Sequence, residues 1–100
     1  MSKKISLCIT TWKRFPMIIK SFEQVINDER IGEVVISSDA DEGEQWDKLQ
    51  EYCKYHPKIK LVRNKTRLKV YGNKHASVKA ASYDWVIIFD SDNIMTVDYI

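Results

Sequence analysis

The chain has 100 residues, of which 44% are hydrophobic and 30% are charged, and its net charge is +2. This length allows one compact domain, and this composition favours a soluble globular domain over a disordered tail. No apolar run approaches the roughly 20 residues of a membrane-spanning helix, and the N-terminus lacks a secretory signal pattern, so we predict a cytoplasmic protein without a transmembrane segment. Cys8 and Cys53 lie in a strand-like and a helix-like pattern, which favours buried thiols over a disulfide or a metal pair.

The first half of the chain predicts two strands and two helices. Residues 5–10 have the pattern of a strand, and Pro16 then begins a helical pattern, since proline in the first turn loses no hydrogen bond. A second strand is predicted at 33–37. A second helix is predicted at 44–56, ending before Pro57, and its apolar face consists of Trp46, Leu49, Tyr52 and Cys53.

The second half continues the alternation, with a strand at 59–62, an alanine-rich helix at 73–82 and a strand at 85–89. The last strand is apolar throughout, as is typical of a central strand covered on both faces. A further helix is predicted to begin near Thr96. The order predicts an α/β fold: a parallel sheet of about four strands in the order 3-2-1-4, with helices on both faces. Ligands of such sheets bind at the carboxyl ends of the strands.

The segment Asp90-Ser91-Asp92-Asn93 follows the apolar fourth strand and carries two carboxylates two residues apart. Buried carboxylates are costly unless they meet a cation. Two of them beside phosphate oxygens suit a hard divalent metal, Mn²⁺ or Mg²⁺, so we predict Asp90 and Asp92 as metal ligands. An ordinary acidic turn is the alternative.

A second polar segment, at 37–41, follows the second strand and includes Asp39. The carboxylate of Asp39 suits a hydrogen bond to a ribose or a base edge. An equally good interpretation is a helix N-cap, and for Asp41, Glu42 and Glu44 first-turn helix acids are the better one.

The chain lacks glycine-rich phosphate loops, which argues against a dinucleotide oxidoreductase or a P-loop NTPase. A bound diphosphate would therefore need a metal and basic side chains, and Arg67, Lys69 and Lys74 are candidates. They belong to a stretch, 52–83, with nine Lys or Arg and no acid. This stretch suits phosphate or simply a solvated surface, and without interleaved aromatic residues it does not indicate nucleic acid. Trp12 fits either base stacking or packing, and no role is assigned to His56 or His75.

With these residues placed, the chain resembles glycosyltransferase family 2, the large inverting family of the GT-A fold. The first strand, continuing into Thr11-Trp12-Lys13-Arg14, resembles the family's opening strand, which ends in Pro-Thr-Tyr-Asn-Arg. Residues 33–39 resemble its second strand, which ends in two aspartates. Residues 73–85 resemble the Ala-Arg-Asn helix and the Gly-Glu-Tyr that follows it, and 89–93 resemble the DXD motif. The likeness covers only the family's N-terminal half, and Thr10 and Ser38 depart from its usual residues.

The resemblance implies a donor-binding subdomain over 1–100, with the acceptor subdomain and the catalytic base absent. It implies that Thr11 and Asp39 contact the nucleoside, that Asp92 is the main metal ligand with Asp90 beside it or at the ribose, and that Lys74 occupies the family's arginine position. The donor is expected to be a nucleotide-diphosphate sugar, with UDP favoured. With the candidates taken from the residues themselves, the predicted nucleotide-sugar site consists of Thr10, Thr11, Trp12, Asp39, Lys69, Lys74, Asp90 and Ser91.

Three alternatives stay open. A haloacid-dehalogenase phosphatase would use Asp90 as nucleophile and Asp92 as acid and base, but that family carries its motif near the beginning of the chain. A sugar-nucleotide pyrophosphorylase would need glycines after the first strand. A non-catalytic nucleotide-binding fragment is the third. The incomplete sheet also predicts an open edge through which the chain could self-associate.

Overall fold

The computed structural model describes residues 4–13, 15, 17–39 and 43–90, and at 70, 71 and 90 it describes the backbone only. Four strands and three helices alternate along these residues. They are β1 (Ile5–Thr11), α1 (Ile19–Phe22), β2 (Ile31–Ser38), α2 (Gly43–Lys54), β3 (Ile59–Arg63), α3 (Lys69–Ala80) and β4 (Trp85–Asp90). The strands form one parallel sheet in the order β3-β2-β1-β4, which confirms the predicted α/β topology.

The register brings the carboxyl ends of all four strands to one edge of the sheet. Thr10 of β1 lies between Ser37 of β2 and Asp90 of β4, and Ser37 is in turn paired with Val62 of β3. Past the strand ends, backbone hydrogen bonds continue the ladder. This edge is therefore where parallel-sheet proteins bind ligands.

One face of the sheet is apolar and carries the core. Because side chains alternate along a strand, Leu7 and Ile9 share a face, and so do Val34 and Ile36. Packed against this face are buried side chains from α1, the following turns and α2: Ile18, Phe22, Val25 and Leu49. Burial of these side chains, at about 25 cal/mol per Å² of apolar area, supplies the main stabilisation of the domain.

The other face of the sheet carries more polar side chains and is covered by α3. Cys8 and Val35 are buried here, the Sγ of Cys8 lies 3.6 Å from the backbone oxygen of Ser77 in α3, and Ser37 Oγ of β2 donates to Asn73 of α3 over 2.6 Å. The α3 helix is thus held to the sheet through hydrogen bonds between buried polar groups, which fixes its position more narrowly than apolar contact would.

Three differences from the predicted elements have physical reasons. In the helical segment predicted to begin at Pro16, only 19–22 form an α-helix, because the flanking residues form turns with hydrogen bonds three residues apart. The apolar residues of that segment, Ile18, Phe22 and Val25, are nevertheless buried. Helix α3 begins four residues earlier than predicted, at Lys69, because a distant carboxylate satisfies its first amides. Within the described residues, strand β4 lies at the sheet edge rather than at the centre, because it pairs with β1 alone.

The two edges of the sheet have unlike chemistry. Strand β3 carries Lys60 and Arg63, and charged side chains on an edge discourage pairing with another strand. On β4, Trp85 and Ile88 are 56% and 48% exposed, and no charge interrupts 85–89. No helix in the described part of the chain is both long and apolar enough to cross a bilayer.

Candidate functional site

The strand ends are joined just beyond the sheet. The amide of Asp39 donates to the carbonyl of Thr11 over 2.8 Å, and the amide of Asn64 donates to the carbonyl of Ser38 over 2.9 Å. These bonds extend β1 against β2 and β2 against the segment after β3. The predicted positions after the first three strands are therefore brought together by backbone geometry.

Asp39 is the most heavily bonded residue at this edge. Its side chain accepts from Asn64 Nδ2 at 3.2 Å, Leu68 N at 2.6 Å, Lys69 N at 2.9 Å and Arg67 Nε at 3.4 Å. The residue is 2% exposed. Its partners all belong to the segment that leads into α3, so the carboxylate stabilises the start of α3 from another strand.

The protonation of Asp39 follows from this environment. Burial is the largest single influence and raises the pKa of its carboxyl, but the four hydrogen bonds together outweigh burial and hold the pKa below its ordinary value. Asp39 is consequently ionised at neutral pH. Asp39 therefore caps the start of α3, whereas the N-cap considered from the sequence belonged to the helix that follows Asp39 in the chain.

A second group of hydrogen bonds, centred on Asn73, is connected to Asp39 through Asn64. Asn73 of α3 accepts from Ser37 Oγ at 2.6 Å and from Asn64 Nδ2 at 2.9 Å, and its own Nδ2 donates to the carbonyl of Ser37 at 3.1 Å. From the sequence, no role was assigned to Asn64 or Asn73, although the segment that begins at Asn64 follows the predicted third strand. That position is the signal for the role of Asn64.

Trp12 lies beside two cationic side chains. The guanidinium carbon of Arg67 is 3.5 Å from the ring centroid of Trp12, and the ammonium of Lys13 is 4.8 Å from it. Trp12 is 39% exposed, so its indole neither packs in the core nor stands free in solvent. Cation–π contacts hold both charges at the carboxyl edge of the sheet.

Thr11 carries a buried hydroxyl whose hydrogen-bonding capacity is not used. It is 3% exposed, and among the described residues its hydroxyl is a buried side-chain oxygen without a hydrogen-bond partner. A buried polar group left unpaired costs roughly 1–3 kcal/mol. Native structures seldom retain such groups without a reason.

The basic candidates occupy different places. Lys69 is exposed and begins α3 with a left-handed backbone (φ 61°), and Lys13 has a similar conformation (φ 56°). Lys74 is half-buried one turn further along α3. Non-glycine residues held in this conformation are strained and tend to cluster at functional sites.

The predicted metal ligands are described only in part. Asp90 ends β4 beside Thr10, with its backbone alone described, whereas Ser91, Asp92 and the helix predicted near Thr96 lie outside the described residues. Within the described ranges, no cluster of three or more His, Cys, Asp or Glu side chains is arranged to hold a metal.

The remaining titratable groups of interest have structural roles. The ring of His56 stacks on the ring of Tyr52, with centroids 4.1 Å apart. The Nδ1 of His56 lies 2.8 Å from the backbone oxygen of Tyr52, and because a carbonyl oxygen can only accept, Nδ1 carries the proton and donates it. Cys8 and Cys53 are free thiols, as predicted, and burial raises the pKa of each to about 11. Neither thiol is therefore a reactive nucleophile at neutral pH.

The fold is an α/β domain whose four strands end at one edge of a parallel sheet, the edge at which such proteins bind ligands. The family model described as "Glycosyl transferase family 2" matches residues 6–100. The chain belongs to glycosyl transferase family 2, which confirms the resemblance seen in its sequence. This membership disfavours the phosphatase and pyrophosphorylase alternatives. Comparison with curated protein sequences gave no match.

Solved structures share the fold at low sequence identity. The mannosyltransferase PcManGT from Pyrobaculum calidifontis, in complex with GDP-Man and Mn²⁺, is 17% identical with a TM-score of 0.77, over 94% of this chain and 29% of that one. Residues 1–349 of S. aureus TarS are 18% identical with a TM-score of 0.77, over 96% and 29%. TarS 1–349 in complex with UDP-GlcNAc is 17% identical with a TM-score of 0.74, over 96% of this chain and 28% of that one. The chain thus spans under a third of these relatives' length.

Proposed function

We propose that this chain is the donor-binding subdomain of an inverting glycosyltransferase, and that it binds a nucleotide-diphosphate sugar at the carboxyl edge of its sheet. The observation that carries the proposal is the register. Thr10 lies beside Asp90 on one side of β1, and Thr11 lies beside Ser38 on the other, within a family 2 domain. The relatives crystallised with GDP-Man and with UDP-GlcNAc support this ligand class.

The nucleoside end of the ligand is proposed to lie near Thr11 and Trp12. A ribose or base hydrogen bond to the buried Thr11 hydroxyl would remove the cost of leaving it unpaired. Basic side chains at this edge, with Lys74 behind them on α3, suit the negative charge of a diphosphate. UDP is the favoured nucleotide.

A divalent cation, Mn²⁺ or Mg²⁺, is the proposed cofactor, and Asp90 and Asp92 are the residues that would hold it. Their carboxylates fit the oxygen ligands that hard cations prefer. When bound, the cation neutralises charge on the diphosphate leaving group. The PcManGT complex with Mn²⁺ supports this assignment by likeness of fold.

Transfer also needs a base that deprotonates the acceptor hydroxyl on the side opposite the diphosphate. Asp90 and Asp92 are proposed to lie on the donor side, and Asp39 accepts hydrogen bonds from the segment that leads into α3. We therefore assign the base and the acceptor site to parts of the full-length protein outside residues 1–100. A nucleotide-binding role without transfer is the alternative for this chain alone.

Calorimetric titration with UDP, with and without Mn²⁺, tests the proposal. The wild-type chain is expected to bind UDP more tightly with Mn²⁺, and Asp92→Asn, which removes the charge but keeps the shape, is expected to abolish that difference. Asp84→Asn, an exposed acid before β4, is the matched control and should behave as wild type. Equal affinity in every titration would rule the site out.

A further inference from the structure

A groove beside α2 lies apart from the proposed nucleotide-sugar site. Its volume of about 480 Å³ is within the size range of ligand-binding clefts. The described lining includes no residue that we assign to the nucleotide sugar or to the metal. It combines aromatic with acidic side chains, which are Phe15, Tyr52, Tyr55, His56, Asp47 and Glu51.

The aromatic walls of the groove are held in place by the protein. The ring centroids of Phe15 and Tyr52 are 6.0 Å apart, and Tyr52 stacks on His56 at 4.1 Å. The amide of Phe15 donates to the side-chain oxygen of Gln45 over 3.1 Å, and the side-chain nitrogen of Gln45 donates to the carbonyl of Phe15 over 3.1 Å. This pair of bonds ties the segment after β1 to α2. The groove is therefore preformed, which lowers the entropy cost of filling it.

The charge of the groove is negative. Asp47 and Glu51 are exposed, lie one turn apart on α2, and form no hydrogen bond or ion pair with another described residue. Lys48 also lines the groove, but its ammonium lies 2.7 Å from the carboxylate of Glu44, which offsets its charge. Two carboxylates beside apolar aromatic walls are complementary to a cation that also offers a flat, weakly hydrated surface.

Tyr55 extends the aromatic surface out of the groove. Its side chain is 68% exposed, although it is large and mostly apolar. Tyrosine and arginine are enriched at the centres of protein interfaces, where aromatic rings and guanidinium groups often meet. The groove and its exposed rim therefore have the composition of a protein contact surface.

We propose that this groove is a docking site for an arginine side chain of a protein partner. The guanidinium would stack against the rings of Tyr52 and Tyr55 and donate hydrogen bonds to the carboxylates of Asp47 and Glu51. A lysine ammonium suits the groove less well, because it is strongly hydrated and has no plane to stack. The inference goes beyond the proposed nucleotide-sugar function and does not depend on it.

Short peptides separate recognition of a guanidinium from general attraction of charge. NMR titrations of the full chain would use acetyl-Gly-Arg-Gly-amide and the matched peptides with lysine, which keeps the charge without the plane, and with citrulline, which keeps the plane without the charge. We expect the arginine peptide to shift the resonances of Phe15 and α2, the lysine peptide to bind at least about threefold more weakly, and the citrulline peptide to give no saturable shifts. Equal binding of the arginine and citrulline peptides would overturn the inference.

Substitutions at exposed positions locate the contact without disturbing the core. Asp47→Asn combined with Glu51→Gln is expected to weaken the arginine peptide roughly tenfold, and Tyr55→Ala roughly threefold. Glu29→Gln, an exposed acid outside the groove, is the matched control and should bind as wild type. UDP affinity should be the same in all of these variants, which keeps this test separate from that of the proposed function.

Three results would contradict arginine docking. Unchanged affinity in the doubly substituted chain would show that the two carboxylates make no contact. Tighter binding of cellotriose, an uncharged oligosaccharide, would assign the groove to carbohydrate. Tighter binding of free arginine than of the peptide would assign it to a small metabolite instead of a protein partner.

Discussion

Asn73 of α3 and Ser37 of β2 bind each other in both directions: the Ser37 hydroxyl donates to the Asn73 side chain, and the Asn73 amide donates to the Ser37 carbonyl. Both residues are buried. Through Asn64 the same amide group reaches the segment that surrounds Asp39. The position of α3 relative to the sheet and the shape of the proposed ligand site are thus set by one connected group of polar side chains.

Replacing Asn73 with Ala is expected to destabilise the fold by roughly 1–3 kcal/mol, because it leaves the Ser37 hydroxyl and carbonyl without these partners. Urea unfolding followed by circular dichroism measures the change. Asn27→Ala, at an exposed turn, is the matched control and should alter the midpoint little. Equal destabilisation by the two substitutions would contradict the role given to Asn73.

The pH dependence of stability should depend in part on Glu33. Burial alone raises the pKa of its carboxyl, but hydrogen bonds from Ser6, over 2.6 Å, and from the Ser82 amide, over 2.5 Å, outweigh burial and lower it. Because the folded-state pKa is depressed, this contribution is complete above the ordinary glutamate range and is lost as the pH falls through and below it.

Unfolding free energies measured across acidic pH test this prediction. Glu33→Gln is expected to lower stability at neutral pH and to flatten its decline toward acid. Glu29→Gln, an exposed neighbour, is the control and should keep the wild-type slope. A wild-type slope in Glu33→Gln would show that another carboxylate dominates.

Thr11→Val should separate binding from stability. Valine has nearly the shape of threonine and removes a buried hydroxyl that lacks a partner, so stability should stay the same or rise. If the ligand bonds to that hydroxyl, UDP affinity should fall roughly tenfold. Calorimetry and thermal unfolding give the two quantities, and Thr66→Val, at an exposed position after β3, is the control. A stability loss without a change in affinity would assign Thr11 to the fold alone.

The open edge of β4 predicts concentration-dependent self-association of the chain. Ile88→Lys places a charge on this apolar edge and should shift the chain toward monomer in sedimentation velocity. Tyr55→Lys changes a large hydrophobic residue that is exposed but lies away from the sheet edge, and it should leave the distribution unchanged. A monomer at all concentrations in wild type would refute the prediction.

The sequence was sufficient for the strand order, because alternating periodicity together with right-handed crossovers leaves few topologies. It was also sufficient to predict the four strands whose carboxyl ends meet at the proposed site. It could not predict which helix Asp39 would stabilise, since Asp39 and Lys69 are 30 residues apart and their pairing depends on β2 and β3 lying side by side. The early start of α3 has the same cause. Local propensity carries no information about a cap supplied by another strand.

The unlike faces of the sheet give the domain two different tolerances to change over evolution. On the apolar face, around Leu7 and Ile36, shape and volume decide, so many combinations of aliphatic residues serve equally well. On the α3 face, Ser37 and Asn73 each require a partner of matching chemistry, and a single replacement leaves another buried group without one. Homologous sequences should therefore diverge freely on one face and change only in concert on the other.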